Sequence, residues 1–241
     1  SFRAIADDLQ AYLSKNFMPG EAVHLVAHAA GGLVVRHLLQ KHPDHWKTFE
    51  GKLLLLGSSN YGSLLGVQAL AGHLDLTGWV DLLDAGHRKV DFLSVIRSFP
   101  SIYEMLPSPK LNPEWIELFE PATFGPGINE KLLTNARKFR NLLDREESFE
   151  SFVSERTISI IGVGRPTFCN IDVNVLRECS ARQSRKYSDE IDRIYGEPTD
   201  RGDGSVPLQL ADMRNKGIPT RFLDARKHDM LASQPILQAM L

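Results

Sequence analysis

The chain has 241 residues, 42% of them hydrophobic and 24% charged, with 18 glycines and 13 prolines, the proportions of an ordinary globular protein. Disorder, collagen-like repeats and a disulfide-stapled miniprotein are excluded, and the length suits one large domain or two small ones. With 28 basic against 30 acidic side chains the net charge is -2, which leaves no electrostatic footprint for nucleic acid.

The longest purely apolar runs, such as Leu53 to Leu56, fall far short of the roughly 18 residues that span a bilayer. Ser1 opens no basic, apolar, small-residue leader. Two cysteines, Cys169 and Cys179, are too few for a secreted disulfide framework. Two free thiols in a reducing, cytoplasmic compartment is the expectation, with one small disulfide-closed hairpin as the other arrangement.

Phe2 to Phe17 reads as an amphipathic helix with Ile5, Leu9 and Leu13 on one face, ended by Met18-Pro19-Gly20. Ala22 to Val26 reads as a short buried strand, Gly31 to Gln40 as a helix, and Lys52 to Leu56 as a second buried strand running into Gly57-Ser58-Ser59-Asn60-Tyr61-Gly62. Helix, strand, helix and strand in this order predict a βαβ crossover and a parallel sheet. From Ser63 to Glu155 the pattern is helical and punctuated by prolines, with no core strand. A third strand is predicted at Thr157 to Val163, and a last one at Thr220 to Leu223 after a polar stretch from Asn170 to Arg201. The expected division is therefore a core of residues 1–65 and 156–241 around a helical cap or lid at 66–155.

The most informative segment is Val23-His24-Leu25-Val26-Ala27-His28-Ala29-Ala30-Gly31-Gly32-Leu33-Val34-Val35-Arg36. An apolar strand enters a turn of small residues and leaves as a helix, the construction of a nucleophile elbow with pattern G-x-S-x-G. Residues two before and two after the nucleophile have to be small, and Ala27 and Gly31 are. The Ala30 N–H would face an oxyanion at a helix N-terminus. The central residue, however, is Ala29, and a methyl group cannot attack a carbonyl. A plain strand-to-helix junction with tight glycine packing reads the same way. Later residues supply the rest of a triad in the order nucleophile, acid, histidine: Asp203 in Gly202-Asp203-Gly204-Ser205-Val206-Pro207 and His228 just past the last strand. Taken singly, Asp203 is also an ordinary D-G turn and His228 a surface histidine.

Together these segments resemble the lecithin:cholesterol acyltransferase-like branch of the α/β-hydrolase lipases. The likeness is carried by V-H-L-V-A-H-A-A-G-G-L-V-V-R, L-L-L-L-G-S-S-N-Y-G-S, S-I-Y-E-M-L-P-S and G-D-G-S-V-P, spread from Val23 to the histidine loop. In the second segment Ser58-Ser59-Asn60 departs from the family's T-P-N, while Gly57, Asn60, Gly62 and Ser63 fit. The resemblance implies an α/β-hydrolase fold and hydrolysis of carboxylic esters, lipids or phospholipids above all, or acyl transfer, through a serine acyl-enzyme without a cofactor. It also implies contact with a lipid substrate at a membrane periphery.

Two departures stand out. Ala29 occupies the nucleophile position, so either a serine has been replaced to silence the enzyme or the chain is a natural pseudohydrolase that binds a ligand or partner. Only 22 residues precede Val23, whereas the fold places several strands ahead of the elbow, including the loop that donates the second oxyanion N–H. Those N-terminal strands are expected from upstream sequence, further domains or a partner chain.

His24 and His28 are four apart but fall on a strand and its turn, and no H-E-x-x-H or paired-cysteine spacing exists, so no metal is expected. His28 reads as structural. Gly162 and Gly164 lack the continuation of a dinucleotide-binding fingerprint. Arg182, Arg185, Lys186 and Arg193 read as a solvated face. Phe92, Ile96, Phe99, Ile102 and Leu106 sit at near-helical spacing, which suits either core packing or a lid facing an acyl chain.

Overall fold

The computed structural model describes residues 1–74, 89–145, 151–182, 188–224, 228 and 231. Contacts divide the chain into two compact units. The first comprises Ser1–Gly62, Asn141–Cys169 and Pro198–Leu241; the second comprises Ser63–Arg140 and Asn170–Glu197.

The first unit is built on a four-stranded, wholly parallel sheet: β1 (Leu25–His28), β2 (Leu53–Leu56), β3 (Thr157–Val163) and β4 (Thr220–Asp224), in that spatial order. Sequential neighbours pairing in parallel require crossovers, and helices flank the sheet accordingly. The two central strands are buried on both faces, with Leu53, Leu55, Leu56, Ile160 and Ile161 alongside the polar Thr157 and Ser159. The edges differ: on β1, Ala27 is buried while Val26 is 58% exposed. The first strand was predicted at Ala22 to Val26 and is found three residues later. Leu25 is the first residue to enter the ladder, opposite Leu53, although Val23 is buried ahead of it.

Helix α1 (Phe2–Asn16) begins at Ser1, whose hydroxyl accepts from Ala4 N at 3.2 Å, and packs on α2 (Gly31–Lys41). Its buried stripe is Phe2, Ala6 and Leu13; Ile5, expected inside, is 51% exposed. The expected and buried stripes share Leu13, and packing against α2 selects Phe2 and Ala6 in place of Ile5. Helix α2 is buried along most of its length, including Arg36, whose guanidinium donates to the carbonyls of Asn60 and Leu143 and lies 5.4 Å from the Tyr61 ring. An arginine can be buried here because backbone oxygens and an aromatic face replace its water.

In the second unit, α4 (Leu64–Ala71) follows α3 (Pro43–Lys47), a short helix of the first unit, in chain order. It starts on the Ser63 hydroxyl, and Ser63 N donates to Met105 O at 2.7 Å. Gly66 brings α4 against the segment after α6 (Pro100–Glu104): a Cβ there would lie 2.9 Å from Met105 Cβ and 3.0 Å from Ile102 O. Tyr103, fully buried, donates to Arg97 O at 2.8 Å and accepts from Asn129 N at 3.1 Å. Much of the S-I-Y-E-M-L-P-S segment is thus a packing element. The apolar stripe expected there divides, since Leu106 is buried whereas Phe92 on α5 (Lys89–Ile96) and Phe99 after it are exposed, as is Val95 beside them. Of the basic cluster, Arg185 and Lys186 lie outside the described residues. Among the described residues no helix is long and apolar enough to cross a membrane.

Candidate active site

The junction between β1 and α2 carries a backbone signature that the sequence could only suggest. Ala29 has φ 51°, the sole non-glycine residue with positive φ among the described residues. A side chain there costs of order 1–2 kcal/mol relative to glycine, and such strain is held only where the surroundings over-determine it. They do so here. Ala29 N donates to Leu56 O at 3.1 Å, continuing the β1–β2 ladder, while Ala29 O accepts from Ser59 N at 3.1 Å and Gly32 N at 3.2 Å. Ser58 Oγ donates to Ala27 O at 3.0 Å. The Gly57–Gly62 turn therefore clamps the elbow from both sides of Ala29. The Ala30 N–H meets no acceptor among the described residues and opens the N-terminus of α2.

The steric demand falls one residue later than expected. A methyl on Gly31 would meet only Ala27 Cβ, at an ordinary 3.8 Å. On Gly32 it would lie 2.6 Å from Ser58 Cβ and 2.9 Å from Ser58 Oγ, so the close approach of α2 to the turn after β2 is what requires glycine.

Asp203 lies on the loop between β3 and β4, 2% exposed. Its Oδ1 accepts from Val206 N at 2.8 Å and Ser205 N at 3.0 Å, and its Oδ2 from His228 Nδ1 at 2.7 Å. All three donors orient the carboxylate. Thr167 supports the loop, its Oγ1 accepting from Gly204 N at 2.9 Å and donating to Arg165 O at 2.7 Å. His228 N donates to Asp203 O at 3.1 Å, so the histidine is tied to Asp203 through both backbone and side chain. With Nδ1 engaged, His228 Nε2 is left without a partner among the described residues, and the side chain is 17% exposed.

Two residues not assigned a site role from sequence border this pair. Gly57, at φ 49°, passes so near that a Cβ would lie 3.1 Å from Asp203 Oδ2, 3.1 Å from His228 Nδ1 and 2.7 Å from Leu231 Cδ1. His28, read as structural, stacks on His228 with ring centroids 4.6 Å apart and planes 26° apart, and its Nε2 lies 3.1 Å from His228 O. The signal for Gly57 was available as a glycine directly after a buried strand. The signal for His28 was not, because the contact joins residues 200 apart.

His24 takes a different partner, accepting at Nδ1 from Lys52 N at 3.3 Å. Among the described residues no group of three or more His, Cys, Asp or Glu is placed to hold a metal ion.

The parallel sheet carries a strained turn after its first strand, a buried carboxylate after its third and a histidine after its fourth, the order in which α/β-hydrolase folds place nucleophile, acid and histidine. Among solved structures the chain is similar to the mature form of the Bacillus licheniformis lipase BlEst2, with 14% identity over 99% of this chain and 70% of that one and a TM-score of 0.45. No protein-family model and no curated protein matches the chain.

Proposed function

We propose that the chain carries the machinery of a serine-type esterase of the lipase class, with its nucleophile position occupied by Ala29. The observation that carries this reading is the Asp203–His228 pair, bonded at 2.7 Å with Nε2 unengaged among the described residues, beside the strained elbow that begins at His28. A serine at position 29 attacks the ester carbonyl while His228 Nε2 takes its proton. Asp203 holds the Nδ1–H tautomer and stabilises the imidazolium. The alkoxide charge of the tetrahedral intermediate falls at the start of α2, where the Ala30 N–H is available. The intermediate collapses to an acyl-enzyme as the imidazolium protonates the departing alcohol, and a water activated by the same histidine releases the acid. Lipid esters are the proposed substrates. The exposed Phe92, Val95 and Phe99 of the second unit support contact with an apolar phase.

With Ala29 in place no acyl-enzyme can form, and turnover is limited to the residual ~10³–10⁴-fold over water that binding and oxyanion stabilisation provide. That same residue supports a second reading, a natural pseudohydrolase that binds a ligand in an inactive site. One experiment separates them: fluorophosphonate labelling of the Ala29→Ser protein. Covalent labelling that disappears in Ala29→Ser/His228→Ala supports the esterase. A folded Ala29→Ser protein that does not label overturns it in favour of the binding module.

A further inference from the structure

We infer that His28 is a positioning residue for the imidazole of His228, an assignment that rests on the catalytic reading above. The Nδ1–H···Oδ2 bond to Asp203 fixes one point on the ring. It leaves the plane free to turn about that bond, and such a turn moves Nε2. The backbone bond from His228 N to Asp203 O restrains the main chain but not the ring plane. His28 provides what these two bonds lack. Its ring lies flat against one face of His228, at 4.6 Å between centroids and 26° between planes, and so blocks the turn. Its Nε2–H donates to His228 O at 3.1 Å, holding the carbonyl side of the same residue. A carbonyl can only accept, so this contact also sets the His28 tautomer, with the proton on Nε2 and Nδ1 bare when the ring is neutral.

The placement of His28 makes the contact more than local packing. It is the last residue of β1, laddered opposite Leu56, and the residue bonded directly to Ala29. The strand end that sets the nucleophile position therefore also sets the plane of the base. One rigid element fixes the separation between the two groups that exchange a proton, and an error of about 1 Å in that separation costs about 10²-fold in rate.

Two measurements test this. In the Ala29 protein, the hydrogen-bonded Nδ1 proton of His228 is followed by NMR in His28→Ala, His28→Phe, which keeps the flat face, and His28→Gln, which keeps an N–H donor of similar reach. The proton signal is expected to broaden into exchange with water in His28→Ala and to be largely retained in His28→Phe. In the Ala29→Ser background, ester turnover is expected to fall about 10²-fold in kcat with little change in KM for His28→Ala. Recovery is expected to be partial in His28→Phe and His28→Gln. An unchanged Nδ1 signal and unchanged kcat in folded His28→Ala overturn the assignment, as does a loss that neither of the other two variants restores. Should Ala29→Ser prove inert, the catalytic reading falls, and the Nδ1 signal alone decides whether His28 holds the ring.

Discussion

Asp203 holds His228 twice, its Oδ2 accepting from the ring Nδ1 at 2.7 Å and its backbone carbonyl accepting from the histidine N–H at 3.1 Å. A single residue thus holds both the backbone of His228 and the tautomer of its imidazole. The carboxylate can do this because the turn that follows it turns two backbone N–H groups, those of Ser205 and Val206, onto its other oxygen. It is buried but not unsatisfied, the condition under which a charge is tolerated inside a protein.

Replacing Asp203 by Asn keeps the shape and an acceptor for the Ser205 and Val206 N–H groups, but offers an amide to His228 Nδ1. The imidazole is then expected to adopt the other tautomer, with the proton on Nε2, where it cannot take a proton from a serine. In the Ala29→Ser background, fluorophosphonate labelling by Asp203→Asn is expected to slow by about 10⁴-fold with little change in thermal stability. Labelling within tenfold of the parent rate would show that Asp203 does not govern the tautomer.

Gly57→Ala tests the space beside the pair. The added methyl lies 3.1 Å from both Asp203 Oδ2 and His228 Nδ1, and the residue is held at φ 49°. Leu231 Cδ1, at 2.7 Å, is the flexible end of a side chain and can move; the Asp203–His228 bond cannot shift without losing its geometry. A destabilisation of about 1–3 kcal/mol is expected in denaturant titration, together with a shifted or lost His228 Nδ1 proton signal.

The elbow distinguishes two adjacent glycines. Gly31→Ala is expected to be neutral or to stabilise by up to about 1 kcal/mol, since the methyl meets only Ala27 Cβ at 3.8 Å and alanine favours the helix. Gly32→Ala drives a methyl to 2.6 Å from Ser58 Cβ and is expected to cost about 1–3 kcal/mol or more. Urea midpoints of the two variants, measured side by side, check the ordering. The reverse order would place the close approach at Gly31.

Two desolvated histidines, His37 buried and His73 half-buried, make the fold sensitive to acid. Burial lowers His37 on α2 and His73 in the second unit from the ordinary 6.5 to about 4. Between these values the unfolded chain binds protons that the folded chain refuses, so stability rises with pH. Their contribution is complete above about pH 6.5 and is lost as pH falls toward 4. The denaturant midpoint is expected to drop across that window, and His37→Leu is expected to remove part of the slope.

Much of this site is legible in the order of residues. A short strand buried on both faces has to be continuously apolar, so β2 and β3 announce themselves as Leu53 to Leu56 and Thr157 to Val163, and the small residues from Ala27 to Gly32 mark a tight strand-to-helix turn. The order Ala29, Asp203, His228 follows from sequence alone, as does the absence of a hydroxyl at position 29. What needed tertiary structure is everything set by contacts between distant segments. Which of two apolar stripes α1 buries depends on what α2 presents to it, so Ile5 points out and Ala6 points in. Asn170 to Arg201 reads as a polar stretch, yet Val173, Leu176 and Ile194 within it are buried in the second unit. The stack of His28 on His228 has no local sequence signal, and the small residues around Ala29 and the glycine at position 57 suggest tight turns without fixing the strain or the close approach found there. Chain propensity acts over a few residues, whereas close approach and ring stacking depend on where the sheet brings separate strand ends together.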